Sequence, residues 1–185
     1  NVKAAELLER VKDAAFKSGD LAAKELLYID IKMLSLVNKL SLVEKHLISP
    51  EFVEGNRSRA AIISKDERVS ILINEEDHLR IQCIYPGMQI GEAWRLCSKL
   101  DTQLGEKLEF AYDKTFGYLT CCPTNIGTGI RASVMLHLPI LTMTGYIKGI
   151  LETCSKLGVA VRGVFGENSE ASGNIFQISN QVTLG

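Results

Sequence analysis

Long apolar runs are missing from this sequence: nothing approaches the ~18 consecutive apolar residues of a membrane span, so no transmembrane segment is predicted. Histidine is scarce, at His46, His78 and His137. The five cysteines (Cys83, Cys97, Cys121, Cys122 and Cys154) are odd in number and contain no CxxC pair. That combination speaks against a disulfide framework and against a zinc site, so the thiols read as reduced and no protein metal ligand is expected. A charge excess is lacking too, with a formal net charge of −1, whereas chains that live on nucleic acid are usually strongly basic. No direct nucleic-acid partner is therefore expected. The opening Asn1-Val2-Lys3-Ala4-Ala5-Glu6 is an amphipathic helical start rather than a signal segment, and the chain reads as soluble and cytoplasmic.

What is present is an ordinary globular composition, 46% hydrophobic and 23% charged over 185 residues, enough for one domain or slightly more with a sizeable core. Leu7, Leu8, Val11, Ala14 and Ala15 recur at helical spacing over residues 2–17. Ser18-Gly19-Asp20 stops that helix and caps a second, expected from Leu21 to about Leu40. From Ala60 the texture changes to short β-branched runs, Ala60–Ile63, Val69–Ile73 and His78–Tyr85, the last two flanking an acidic turn. A long amphipathic helix is expected from Ile90 to Glu109, strands over Phe116–Cys121 and Ala132–Leu138, and a helix from Pro139 to about Leu157. Two strands, Val159–Val164 and Asn174–Ser179, close the pattern around a glycine-rich loop. Strands in tightly connected pairs predict an α+β fold, a largely antiparallel β-sheet flanked by helices.

Four segments could carry chemistry, and each has a bland reading. Asn74-Glu75-Glu76-Asp77-His78-Leu79-Arg80 crowds three carboxylates that repel unless something cationic is near, yet charged turns are commonly just solvated. In Cys122-Pro123-Thr124-Asn125-Ile126-Gly127-Thr128-Gly129-Ile130-Arg131 two glycines let backbone amides approach an anion, and a cationic neighbour would favour a Cys122 thiolate; the plain alternative is a surface loop. Arg162-Gly163-Val164-Phe165-Gly166-Glu167 reads equally as a decorated hairpin loop, and His46 as a structural histidine. Gly127-Thr128-Gly129-Ile130-Arg131-Ala132 matches a relaxed dinucleotide fingerprint, but its glycines precede a strand instead of opening a helix, so that reading is rejected. No Walker A pattern occurs. The conjunction matters more than any one segment: Arg80, Arg131 and Arg162 sit at strand edges, with Glu76 and Glu167 nearby. Always-charged planar forks suit phosphate oxygens, and carboxylates suit a basic nitrogen, so together they fit phosphoryl transfer.

These residues resemble the ATP:guanidino phosphotransferases (phosphagen kinases), the family that includes arginine and creatine kinases. The resemblance runs from about Leu42 to Gly185 and rests on Asn-Glu-Glu-Asp-His-Leu-Arg at 74–80, Cys-Pro-Thr-Asn-Ile-Gly-Thr-Gly-Ile-Arg-Ala-Ser at 122–133 and Arg-Gly-x-x-Gly-Glu at 162–167. Within the family the chain is most similar to the bacterial protein-arginine kinase (McsB) group, through Val43–Pro50, Arg80-Ile81-Gln82, Ala132–Pro139 and Gly173–Gln181.

The resemblance implies a phosphagen-kinase catalytic-domain fold, glutamine-synthetase-like and truncated at both ends. Residues 1–185 would form a single partial catalytic domain, with a helical N-terminal part at 1–40 and a sheet-and-helix core at 41–185. It implies ATP and Mg²⁺ as cofactors, with Arg80, Arg131 and Arg162 on the phosphates and His46 near the nucleotide. The stretches Arg131, Ala132, Ser133, Val134, Met135 and Arg162, Gly163, Val164, Phe165, Gly166, Glu167 would line the nucleotide pocket. Glu76 and Glu167 would grip the guanidinium, with Cys122 against it. The implied reaction moves the γ-phosphate of ATP to arginine guanidinium groups in proteins, marking them for degradation in a stress response. A small-molecule guanidino kinase and a non-catalytic nucleotide- or phosphoarginine-binding domain are the alternatives. Implied partners are arginine-bearing protein substrates, a McsA-type activator, the Clp protease machinery and a second copy of the chain through regions outside this sequence. The family's Ser-Arg-x-Arg phosphate element is not assigned to Arg57-Ser58-Arg59, which follows the His46 segment in the wrong order.

Overall fold

The structure, a computed structural model, describes residues 2–17, 21, 25–55, 57–163 and 173–183. The chain divides into two compact units, residues 1–112 with 120–122, and residues 113–119 with 123–185. Both are built as expected for an α+β chain, from antiparallel strands and helices. No helix among the described residues is long and apolar enough to cross a membrane.

In the first unit four antiparallel strands lie in the order β1 (Leu26–Asp30), β2 (Ala60–Ser64), β3 (Val69–Ile73), β4 (Leu79–Cys83). Every residue of β2 and β3 is buried. Their unbroken apolar runs make sense because both faces of the sheet are covered, and side chains alternate between the faces. On one face Ala60, Ile62, Val69, Ile71 and Ile73 pack with Leu8, Val11, Ala14 and Ala15 of α1 (Val2–Lys17) and with Leu100 and Leu104 of a helix over Ile90–Gly105. On the other, Ala61, Ile63 and Leu72 meet Ile31, Val43, Leu47, Ile48 and Phe52. Those last residues come from α2 (Leu36–Glu44), α3 (Pro50–Val53) and the segments around them. The Ile90–Gly105 helix is α4.

The helix expected over Leu21–Leu40 is corrected. Leu26–Asp30 is a strand, registered against β2 from Leu26↔Ser64 to Asp30↔Ala60, and is followed by a 3₁₀ turn at Ile31–Met33 and then α2. Asp30 and Ser35 cap the turn and the helix by accepting from the amides of Lys32 and Asn38. The helix from Ile90 ends at Gly105 rather than Glu109.

A two-stranded ribbon of β5 (Tyr112–Asp113) and β6 (Gly117–Tyr118) leads into the second unit. The strand expected over Phe116–Cys121 shrinks to these two residues of β6. Tyr118 and Gly127 still exchange backbone hydrogen bonds, and a Cβ on Gly117 (φ +77°) would meet the Gly127 carbonyl oxygen at 2.6 Å, but further on the amides of Cys121 and Cys122 go to Asp77 Oδ1 instead of a neighbouring strand. The main sheet of this unit runs β7 (Ser133–His137), β9 (Ile175–Asn180), β8 (Val159–Arg162), with both pairings antiparallel. One helix was expected from Pro139 to Leu157, but there are two, α5 (Pro139–Met143) and α6 (Ile147–Lys156). The Thr142 and Thr144 hydroxyls bond back to the Leu138 and Ile140 carbonyls at 3.0 and 2.8 Å, and Gly145 then turns at φ +76°.

Candidate active site

The acidic turn between β3 and β4 is where charge repulsion has to be managed. Asn74 starts it in the left-handed region, at φ +62°, and its side-chain amide donates to the carbonyls of Ser58 at 2.9 Å and Ala4 at 3.1 Å. Arg59 lies beneath, 8% exposed. Its Nε donates to the Asn74 carbonyl at 3.1 Å, and Nη1 donates to the carbonyls of Glu51, Phe52 and Glu54 at 2.7, 3.1 and 2.8 Å. Burial pushes the Arg59 pKa down, helped by Arg57 and opposed by Glu75 and Glu54; an arginine nevertheless stays charged. Arg59 is thus a buried cation and splint under the turn.

The three carboxylates of the turn take separate directions. Glu75 has a side chain only 10% exposed, accepts from the Ser49 hydroxyl, and receives Arg80 Nη1 at 3.1 and 3.2 Å on its two oxygens. Ser49 also caps α3, accepting from the Phe52 amide at 3.2 Å, with Pro50 opening that helix. Asp77 turns the other way: its Oδ1 accepts from the amides of Cys121 at 2.6 Å and Cys122 at 3.2 Å. Thr120 Oγ1 donates to the Cys122 carbonyl at 2.6 Å. Glu76 stands between these two fixed neighbours, exposed, while Cys122 is half-buried. The turn carrying Glu76 and the Cys122 backbone are therefore tied together within the first unit.

Two more predicted residues belong to this unit. Arg80 lies on β4 opposite Leu72 with its side chain 49% exposed. His46 follows α2 in the left-handed region, φ +57°, and its carbonyl accepts from Gln82 Nε2 at 2.8 Å. Gln82 also reaches the Leu47 carbonyl at 3.0 Å, which Ser70 Oγ holds at 2.6 Å, so β4 and β3 together anchor the His46 segment.

In the second unit Arg131 and Ala132 precede β7, and Ser133, Val134 and Met135 lie on it. Ser133 and Met135 share the exposed face and Val134 the half-buried one, so the side chains of that stretch do not all line one surface. Arg162 closes β8 opposite Gln177, and its Nη1 donates to Ser179 Oγ at 2.8 Å. Gln177 Nε2 donates to Ser133 Oγ at 3.0 Å. Gly163 is buried. Val164, Phe165, Gly166 and Glu167 lie outside the described residues.

The motif reading missed Glu75, Asp77, Ser49, Gln82 and Arg59 as supporting groups. One signal was available for Ser49, the Ser-Pro pair of a helix start. Asp77 and Gln82 act through partners distant in sequence, and Arg59 and Glu75 through side-chain contacts across loops, none of which a linear reading reveals.

Residues 6–185 match the family model of the ATP:guanido phosphotransferase C-terminal catalytic domain. Among curated proteins, a protein-arginine kinase of Caldanaerobacter subterraneus subsp. tengcongensis is 49% identical over 180 residues, covering 97% of this chain and 53% of that protein. One from Halalkalibacterium halodurans is 58% identical over 147 residues, covering 80% and 41%. Among solved structures, the duplicated taurocyamine kinase of Schistosoma mansoni with bound transition-state-analogue components superposes with a TM-score of 0.82 at 28% identity, over 99% of this chain and 26% of that one. A lombricine kinase shares the fold, with a TM-score of 0.78 at 24% identity, over 97% of this chain and 52% of that one. The chain spans about half the length of the first of these relatives. By match, identity and fold alike, it belongs to the ATP:guanido phosphotransferase family, within that family's C-terminal catalytic domain.

Proposed function

We propose that this chain is the catalytic part of a protein-arginine kinase, which moves the γ-phosphate of ATP onto arginine guanidinium groups of proteins. The observation that carries the reading is the tie from Asp77 to the amides of Cys121 and Cys122, which joins the Glu76 turn to the Cys122 loop in a chain about half identical to named protein-arginine kinases.

A guanidinium stays protonated far above neutral pH, so its nitrogens offer no free lone pair to phosphorus. A carboxylate at Glu76, with Glu167 as the second grip, aligns the guanidinium and accepts a proton as the N–P bond forms and the ADP oxygen departs. Cys122 borders that group. Arg80, Arg131 and Arg162 neutralise the phosphate oxygens, and His46 lies near the nucleotide. Among the described residues no group of three or more His, Cys, Asp or Glu side chains is placed to hold a metal ion. Mg²⁺, bound together with the nucleotide, would supply charge neutralisation at the phosphates. Most of the acceleration then comes from alignment and electrostatics. A McsA-type activator, the Clp machinery, self-association and a cytoplasmic stress-response role belong to this same reading.

A small guanidino metabolite is the second reading, favoured by the superposition on a taurocyamine kinase. Purified chain is incubated with Mg-ATP and either an unfolded protein or free arginine. Acid-labile phosphate on the protein, absent in Glu76→Ala, is the expected result. Product with free arginine alone establishes the second reading. ATP binding without transfer to either acceptor leaves a non-catalytic nucleotide-binding domain.

A further inference from the structure

Asn180 ends β9, and its side chain continues the ladder that its backbone closes. The β7–β9 register stops at Ser133↔Ser179, after which the Asn180 amide reaches the Ala132 carbonyl at 3.4 Å. Beyond that point the side chain takes over: Oδ1 accepts from the Ala132 amide at 2.8 Å, and Nδ2 donates to the Ile130 carbonyl at 3.0 Å and the Val182 carbonyl at 2.7 Å. The partners fix the orientation of the side-chain amide, because a backbone N–H only donates and a carbonyl only accepts. Both Nδ2 hydrogens and one face of Oδ1 are engaged. The Ile130 carbonyl and the Ala132 amide are the groups on either side of Arg131, so one side chain grips the chain before and after that arginine.

A second brace comes from the same segment. The Thr183 carbonyl accepts from Thr128 Oγ1, and Thr183 Oγ1 donates to the Thr124 carbonyl at 2.8 Å. Residues 180–183 therefore hold the 124–132 loop at Thr124, at Thr128 and around Arg131, all within the second unit. Arg131 itself is exposed, so burial does not fix its course; polar contacts such as this bracket do.

We propose that Asn180 is the positioning residue for Arg131, its side-chain amide setting where the Arg131 guanidinium meets the phosphates of ATP. The assignment rests on the reading of Arg131 as a phosphate-binding residue. A misplacement near 1 Å can cost on the order of 10²-fold in rate, and loss of the bracket is expected to act on that scale.

The test is a double-mutant cycle of Asn180→Ala and Arg131→Ala, read on kcat/KM for ATP and on the dissociation constant of Mg-ATP, with thermal unfolding followed in parallel. Asn180→Ala alone is expected to lower kcat/KM on the order of 10²-fold with little change in melting temperature, and to cost almost nothing once Arg131 is gone. Exchange of the Ala132 amide should quicken in the same variant. Asn180→Asp keeps the shape but sets an acceptor against the Ile130 and Val182 carbonyls; it should reproduce the loss, and it carries the cycle if the alanine variant does not fold. Additive losses, or an Asn180 variant with wild-type kinetics, overturn the assignment. A wild-type chain that binds ATP but transfers no phosphate overturns the proposed activity; the cycle is then read on the dissociation constant, where additivity still defeats the role of Asn180. A wild-type chain that binds no ATP overturns both.

Discussion

The two units hold their shape by different means. In the first, β2 and β3 are buried at every residue and apolar clusters cover both sheet faces. In the second, the buried hydrophobic residues among those described are Ile147 and Phe176, while β7 alternates exposed and half-buried side chains. What fixes the second unit locally is a set of polar brackets: Asn180 around Arg131, Thr183 across the loop, Arg162 on Ser179 and Gln177 on Ser133. Packing is non-directional and tolerates compensating changes of shape. A bracket of single hydrogen bonds depends on one donor or one acceptor at a time. Substitutions in the first unit should therefore register in stability, and those in the second in local geometry.

The largest expected contrast comes from two phenylalanines. Phe52 is 0% exposed, with the Arg59 guanidinium 5.5 Å from its ring centre, and Phe52→Ala should cost about 3–5 kcal/mol in denaturant unfolding. Phe176→Ala, in β9 opposite Leu136, should cost less than half of that. Equal losses would erase the distinction between the units.

A smaller effect is expected from Arg59→Met, which keeps bulk and removes the donors to Asn74, Glu51, Phe52 and Glu54. Stranding those carbonyls should cost about 2–3 kcal/mol, with amide exchange accelerating first in the 74–80 turn. Uniform acceleration across β2 and β3 instead would show that Arg59 serves the core and not the turn.

The smallest concerns the thiol pair between β4 and α4. A hydrogen bond from Cys83 holds the Cys97 pKa below its ordinary value, against burial and Asp101, which both raise it. Alkylation follows the thiolate. Cys83→Ala removes the favourable partner, so the Cys97 alkylation profile should shift to higher pH and the reaction slow near neutrality. Superimposable profiles would show that the pair makes no such difference.

The sheet of the first unit was readable because its information is local: Ala60–Ile63 and Val69–Ile73 are β-branched runs joined by short turns. Leu26–Asp30 was misread as helix because its strand character comes from pairing with Ala60–Ser64, thirty or more positions away. Helix formers upstream dominated the linear pattern. The same division holds at the site. Arg80, Arg131, Arg162, Glu76 and Cys122 stood out as residue types suited to phosphate and guanidinium. The groups that position them did not, since the partners of Asp77 lie over forty residues on and the groups Asn180 grips around Arg131 about fifty residues back.

His46 has a consequence for anyone redesigning this chain. It follows the Lys45 cap of α2 at φ +57°, a place where helices favour glycine and where a side-chain-bearing residue costs roughly 1 kcal/mol or more. His46→Gly should therefore relieve that backbone cost even as it deletes the imidazole and the contacts it makes. An optimiser rewarded only for thermal robustness would select that exchange early, and the ring it discards is the one expected near the nucleotide. At this position durability and chemistry are rival objectives.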